Sequence, residues 1–308
     1  MPIRYVTYQQ IDKVKWDACI GTADNGLIYA YSFYLDTMAK HWDALILNDY
    51  DAVMPLTWNK KYGIAYLHQP FFTASLGVFG SGLNFTLVND FLNAIPSKFK
   101  YWDIYLNHAN YFHPEVIGLN NFCLYERVNY VLSLNDSYEN LSITFRDNTK
   151  RNIKKAEQLN CVVKKDTAIT DVIALAKNQS KTFSPVTNED FDNFKKLYHQ
   201  LQQQQKAAAY GIYTPNGDLV SSAAFFFSHK RAYYILVGNH PNGKTIGASH
   251  ALINAFIKDY AGQDLLLDFE GSDIPSLAFF YSSFGAREEK FVGLKLNQLP
   301  FWMKWFKR

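Results

Sequence analysis

Two apolar runs, Ala207–Tyr213 and Leu219–Ser228, are separated by a short polar stretch containing Asn216-Gly217. Both residues of that pair tolerate positive φ, so the chain is expected to fold back on itself as an antiparallel hairpin. A third run, 231–237, extends the meander. It is followed by a Gly-containing loop, a helix-like segment over 248–260 and a strand over 264–269. An antiparallel meander that hands over to a helix and then to another strand specifies a mixed sheet with helices packed on it, the α/β (α+β) class. The aromatic share supports a strand-rich reading: 24 Phe, 21 Tyr and 6 Trp make 17% of the chain, and such residues suit half-buried sheet surfaces.

The first part of the chain repeats this order loosely. Helix-like segments at 10–19 and 29–41 precede strands at 42–47, 52–58 and 64–68, with a polar turn at Lys60-Lys61-Tyr62-Gly63. A loop of small residues, 73–82, leads to a helix ending near Pro96 and a strand at 101–106. Asp103-Ile104-Tyr105-Leu106 and Asp264-Leu265-Leu266-Leu267-Asp268 then occupy corresponding places, the pattern of a diverged internal duplication. At 308 residues two domains are expected. The polar Asn135-Asp136-Ser137 sets their bounds at 1–135, joined by the 297–308 tail, and 136–296. The second begins with a basic helix over 138–158 and a strand at 161–165, then has helices at 168–183 and 188–205.

Composition excludes several classes. A net charge of +3 is too small to dictate a nucleic-acid partner. Three widely spaced cysteines (Cys19, Cys123, Cys161) and eight histidines without an HExxH pairing argue against a disulfide framework or a metal site and fit a reducing cytoplasm. No run approaches the roughly 20 apolar residues of a membrane span, and no apolar signal region opens the chain.

Two stretches carry candidate chemistry. In 237–249 the glycines let backbone amides approach an anion, and the start of the following helix adds partial positive charge. The spacing is not that of a P-loop. In Asp268-Phe269-Glu270-Gly271-Ser272 two carboxylates close a strand. Alternation along that strand places Asp268 and Glu270 on one face. Pro275 suits the first turn of a helix whose core stripe is Ile274, Leu277, Ala278 and Tyr281, with Gly285 as C-cap.

The order of hairpin, Gly loop, helix, strand and a helix reading Ala278-Phe279-Phe280-Tyr281-Ser282-Ser283-Phe284-Gly285-Ala286 resembles the GNAT acyltransferase superfamily. Lys244-Thr245-Ile246-Gly247-Ala248-Ser249 aligns with its Q/R-x-x-G-x-G/A loop, with Lys in place of Gln/Arg and Ser in place of the last Gly/Ala. Thr149-Lys150-Arg151-Asn152-Ile153-Lys154-Lys155-Ala156 and the Asp268–Ser272 segment are similar to the Fem-type (FemA/FemX-like) aminoacyltransferases, which contain two GNAT-like domains in tandem. The Arg usual in that family's second domain has no counterpart in 184–191.

The resemblance implies two tandem GNAT-like domains, each a mixed central sheet flanked by helices. It also implies transfer of an acyl or aminoacyl group, from acyl-CoA or aminoacyl-tRNA as co-substrate and without a metal, to an amine acceptor. That acceptor is a small molecule or a peptide such as a cell-wall peptidoglycan precursor. A non-catalytic peptide- or glycan-binding protein retaining the fold is the alternative.

Under the enzyme reading Glu270 is the base and Tyr281 the proton donor to the leaving group. Gly238, Asn239, Lys244, Thr245, Gly247, Ala248 and Ser249 hold the carrier, and His68, Gln69, Asp268 and Ser272 contact substrate. Lys150, Arg151, Lys154 and Lys155, like charges at i,i+4 spacing, offer an anion or tRNA surface, or simply a solvated face. The aromatic, basic tail either meets a membrane peripherally or docks on the first domain.

Overall fold

The computed structural model describes residues 2–111, 122–180, 185–271 and 273–300. Its contacts divide the chain into two compact units, Met1–Val128 with Lys290–Arg308, and Asn129–Glu289. The division therefore differs from the 1–135 and 136–296 bounds expected from the polar turn. It falls within two strands, because ladder pairing on each part of a strand holds it more firmly than a turn's polarity separates it. The turn itself serves a helix start: the Ser137 hydroxyl accepts from the Asn140 amide.

The first unit runs β1 (Ile3–Val6), α1 (Lys13–Thr22), α2 (Ser32–Met38), β2 (His41–Leu47), β3 (Ala52–Lys61), β4 (Ile64–His68), β5 (Phe79–Gly80), α3 (Phe85–Asn93), β6 (Phe99–Leu106) and β7 (Cys123–Ser133). The second begins within β7. It continues α4 (Tyr138–Ile143), α5 (Asp147–Gln158), β8 (Val162–Lys164), α6 (Ile169–Ser180), α7 (Asn188–Gln203), β9 (Ala207–Tyr213), β10 (Leu219–Ser228), β11 (Arg231–Asn239), α8 (Pro241–Thr245), α9 (Ala248–Tyr260), β12 (Leu266–Asp268) and α10 (Pro275–Ser282). The strand β13 (Arg287–Asn297) begins in the second unit and continues in the first.

Strand order in the first unit is β1-β2-β3-β4-β6-β13-β7, with β5 on β3. In the second it is β7-β12-β11-β10-β9-β8. Each unit has an antiparallel meander and then one parallel pair, β4 with β6 and β11 with β12, joined through α3 and α9 respectively. The same βαβ crossover at corresponding places is the duplicated unit that the sequence suggested. The cores are aromatic. In the first unit Phe91 of α3 packs with Trp102, Leu67 and Met54. In the second, Phe225 of β10 stacks on Phe256 of α9 at 3.9 Å, and Phe194 of α7 covers Phe226 at 5.3 Å.

Several elements differ from expectation. The β9–β10 turn is Thr214-Pro215-Asn216-Gly217, closed by the Gly217 amide on the Thr214 carbonyl at 2.9 Å. Only Gly217 of the pair is left-handed there, at φ +89°. The single basic helix over 138–158 is two helices, because the Arg146 amide donates to the Ser283 carbonyl at 2.9 Å and leaves the helical ladder. The strands β1 and β7 were not expected. The start of the tail docks within the first unit, with Leu299 buried beside Tyr101; residues 301–308 lie outside the described residues. No helix among the described residues is long and apolar enough to cross a membrane.

Candidate active site

A pocket of about 270 Å³ lies in the second unit where β11, the start of α9 and α10 meet. Its wall depends on a bulge. Ala224 of β10 pairs with Leu236, but the next residue, Phe225, pairs with Tyr234, so Ile235 is an extra residue in β11. In a regular strand Tyr234 and Val237 point to opposite faces. The bulge shifts the alternation by one, and Tyr234, Val237 and Asn239 all line the same cavity.

The floor of the pocket is polar and tied together. The Asn239 side-chain oxygen accepts from Ser221 and Ser249 hydroxyls, both at 2.7 Å. The Asn239 amide donates to Gln179 Oε1 of α6 at 2.6 Å. Gly247 precedes α9 at φ +78°, and no side chain caps that helix start. A Cβ on Gly247 would lie 2.2 Å from the Asn152 carbonyl oxygen of α5, so glycine is what lets α5 close against the α9 start. The expected open Gly loop is only partly open. Residues Pro241–Thr245 form the short helix α8, with Pro241 at its first turn and His240 at its N-cap.

Tyr281 enters from α10. It is 7% exposed and stacks on Phe269 at 4.6 Å. Its ring stands perpendicular to that of Tyr234, with centroids 6.4 Å apart. Among the described residues neither the Tyr281 nor the Tyr234 hydroxyl makes a hydrogen bond. Burial, aided by the negative charge of Glu270, pushes the Tyr281 pKa up to about 12. Burial also raises Tyr234 well above the ordinary tyrosine value. Both are therefore proton donors across the neutral range.

His250, in the first turn of α9, packs edge-on to Phe280 at 4.8 Å. Burial lowers its pKa from the ordinary 6.5 to about 4, so it is neutral in this pocket. Between these values the unfolded chain takes up a proton that the folded chain refuses. Stability present above pH 6.5 is thus lost as the pH falls toward 4. Allowing for its partial contact with solvent, the loss is about 1–2 kcal/mol. His250→Leu, which keeps the apolar contacts, is expected to flatten the urea midpoint between pH 7 and 4. Equal pH slopes in wild type and variant would sink this assignment.

The carboxylates divide. Asp268 is 5% exposed. One oxygen accepts from Arg231 at 2.6 Å, the other from Asn129 Nδ2 at 2.8 Å and from the Glu270 amide at 2.9 Å. Glu289 takes Arg231 at 2.8 and 3.1 Å. Burial opposes the Arg231 charge, but Asp268 and Glu289 outweigh it and hold the pKa above its usual value. Asp268 is therefore a buried scaffold residue, and its expected contact with substrate is corrected.

Glu270 does not share a strand face with it either. The strand stops at Asp268, and Glu270 is left-handed at φ +65°. The Asn129 side-chain oxygen accepts from the Gly271 amide at 2.5 Å and fixes this turn. Glu270 does not line the pocket, yet its charge is felt by Tyr281. A left-handed non-glycine costs on the order of 1–3 kcal/mol and persists only where its surroundings impose it. Here the Asp268–Asn129 pair does so.

The other sequence candidates fall as follows. Gly243, Gly247, Asn239 and Ser249 line the pocket. Gly238 instead packs on α6, where a Cβ would lie 2.6 Å from the Ala176 nitrogen; close packing, not carrier contact, requires glycine there. Ala248 is fully buried, and the Thr245 hydroxyl donates to the Asn242 carbonyl at 2.8 Å.

Arg151, Lys154 and Lys155 are exposed on α5, while Lys150 donates to the Ile143 carbonyl at 3.1 Å and so closes the end of α4. His68 and Gln69 are in the first unit and take no part in this pocket. The Gln69 side-chain NH2 donates to the Thr73 carbonyl at 3.0 Å, and its oxygen accepts from the Tyr105 amide at 3.2 Å. Ser272 and the side chain of Lys244 lie outside the described residues. Sequence reasoning missed Tyr234, Gln179 and His250, whose places follow from the bulge and from helix packing; the nearest signal was the aromatic pair Tyr233-Tyr234 at the end of the meander.

Residues 144–273 match the acetyltransferase (GNAT) domain family. The sequence finds no match among curated proteins. In fold the chain is similar to FemX, with a TM-score of 0.66 at 13% identity over 95% of this chain and 97% of that one. It is also similar to a conserved protein of unknown function from Bacteroides thetaiotaomicron, with a TM-score of 0.61 at 12% identity over 96% and 99%. A third likeness is to the C-terminal domain of a putative lysylphosphatidylglycerol synthetase from Agrobacterium fabrum, 0.56 at 10% over 94% and 92%.

Proposed function

We propose, from the match of residues 144–273 to the acetyltransferase (GNAT) domain family and from the FemX-like fold, that this chain transfers a short, uncharged acyl group from a phosphate-bearing carrier, acyl-CoA first among them, to an amine. One observation carries the choice of acyl group. Among the described residues no acidic or basic side chain lines the pocket apart from His250, which is neutral there. The α-ammonium of an aminoacyl donor finds no carboxylate in this lining, and an uncharged ion-free acyl chain loses nothing on entering it.

The carrier's phosphates meet the uncapped start of α9, a 13-residue helix whose first amides and dipole favour anions. The amine nitrogen attacks the acyl carbon, and the carbon–nitrogen bond forms as the carbonyl takes up negative charge. The Tyr234 hydroxyl, which makes no hydrogen bond among the described residues, is a donor for that oxygen. The bond to the carrier then breaks. Tyr281 donates to the departing atom, and the nitrogen's proton passes to Glu270 through water. Positioning supplies much of the rate, since the reaction needs the two partners held in line.

The exposed Arg151, Lys154 and Lys155 on α5 favour a second donor, aminoacyl-tRNA. The two are separated by a panel on the purified protein: acetyl-, propionyl- and butyryl-CoA against alanyl-tRNA, with a lysine-containing pentapeptide as amine. That acceptor reflects the cell-wall precursor to which the Fem resemblance points. Expected is turnover with the CoA thioesters that falls as the chain outgrows the cavity. Turnover with alanyl-tRNA alone would overturn the uncharged-acyl reading.

A further inference from the structure

The start of α10 is both apolar and exposed. Ile274, just before the helix, is 58% exposed, Leu277 39% and Phe279 51%. Large apolar side chains so close along the chain form a patch, and a patch marks an interaction surface more than a scattered residue does. Ile143, at the end of α4, is 73% exposed and borders the same region. The Arg146 guanidinium that follows it lies over the Phe279 ring at 4.8 Å, and the Arg146 amide holds the Ser283 carbonyl at 2.9 Å. We propose that this face, the α10 start with the α4–α5 junction, docks on a membrane surface rich in anionic lipid.

Charge selects that occupant. Within 146–157, Arg146, Lys150, Arg151, Lys154 and Lys155 outnumber Asp147 and Glu157 by three, and all seven are exposed. The whole chain carries +3, so this short segment holds its entire positive excess. The cations adjoin the apolar residues. Lys150 Nζ donates to the Ile143 carbonyl at 3.1 Å, and Arg146 covers Phe279.

Apolar side chains that enter the headgroup boundary, with Lys and Arg beside them to meet lipid phosphates, are what interfacial binding requires. A nucleic acid would use the cations and leave Ile274, Leu277 and Phe279 in water. A second copy of the chain in a two-fold contact would set this positive face against its own equivalent. An anionic lipid surface takes both the charge and the apolar side chains. Leu277 also lines the acyl pocket, so docking through α10 holds one rim of that pocket at the headgroups. The inference does not depend on the acyl-transfer reading, because it concerns binding alone.

Its test is co-sedimentation of the full chain with vesicles of phosphatidylcholine, alone or mixed equally with phosphatidylglycerol. Half-binding to the mixed vesicles is expected at about 0.1–1 mM lipid. Binding to phosphatidylcholine alone is expected to be about 10²-fold weaker, three net charges at about fivefold each. Raising salt from 50 to 500 mM is expected to weaken the mixed-vesicle binding at least about fivefold.

Two double variants at exposed positions locate the face. Ile274→Ser with Phe279→Ser is expected to weaken binding at least about tenfold. Arg151→Glu with Lys154→Glu is expected to cost at least about twentyfold on the mixed vesicles. Thermal melting shows which variants are folded, and either pair suffices if the other is not. Absence of sedimentation with mixed vesicles at about 5 mM lipid, well above the expected midpoint, overturns the proposal. So does equal binding to both lipid compositions. Binding that the folded Ile274→Ser, Phe279→Ser variant leaves unchanged would put the contact elsewhere in the chain and overturn it too. Retention of bulk tRNA on a filter without vesicle binding would give the face to nucleic acid instead.

Discussion

Replacing Asp268 by Asn is expected to lower the stability of the second unit by about 3–5 kcal/mol, the cost of breaking a buried ion pair by removing one of its members. Arg231 is 8% exposed and holds Asp268 at 2.6 Å and Glu289 at 2.8 Å. Removing one carboxylate charge leaves the guanidinium facing Glu289 alone in a dry environment. With a urea m-value of roughly 2 kcal/mol/M, the second unit's midpoint moves down by about 1.5–2.5 M. The unfolding is followed by tyrosine fluorescence and amide exchange together, since two units need not unfold as one. A midpoint shift below about 0.3 M, near measurement error, would show that the pair carries no such weight. The variant also tests function. Asp268 and Asn129 hold the left-handed turn at Glu270, so residual folded Asp268→Asn is expected to lose turnover as well.

Tyr281→Phe is expected to cut kcat and kcat/KM together by about 10²-fold or more, with KM little changed, because the hydroxyl acts only as the carrier departs. Stability should move little, since that hydroxyl makes no hydrogen bond among the described residues. The size of the loss also reports the donor. A pKa pushed up to about 12 makes Tyr281 a reluctant acid. A thiolate is a weaker base than such a tyrosinate, so with a thioester Tyr281 stabilises the leaving atom by hydrogen bonding without full transfer. An oxygen leaving group is the stronger base and draws the proton across. The loss in Tyr281→Phe is therefore expected to be larger for an oxygen ester than for the matching thioester in a stopped assay of both. Full activity of the variant with both esters would remove Tyr281 from the chemistry and leave it as a packing residue between Phe269 and Tyr234.

Much of the architecture was readable because it is local. The β9, β10 and α9 bounds follow from apolar runs and turn residues, and the βαβ order repeats in both halves. The strand β7 escaped notice. Glu126 and Arg127 interrupt its alternation, and what holds it is pairing, Val131–Ser133 on β12. The break between α4 and α5 escaped for the same kind of reason. The segment is helical by propensity, and only the Ser283 carbonyl, far along the chain, draws the Arg146 amide out of the ladder.

Chemistry divided in the same way. Tyr281 and the α9 start were legible from their spacing and their resemblance to the GNAT pattern. Asp268 and Glu270, neighbours in sequence and alike in charge, received opposite fates. A partner 37 residues away buried one, and a turn imposed by Asn129 lifted the other out of strand geometry. His250 read as an ordinary helix residue until Phe280 and Phe284 closed over it. Sequence periodicity and turn chemistry determined which segments became strands and helices and in what order, since those depend on neighbours within a few residues. The tertiary structure alone decided which side chains meet, because a one-residue bulge at Ile235 and a buried arginine reset orientation and charge through contacts that no local pattern encodes.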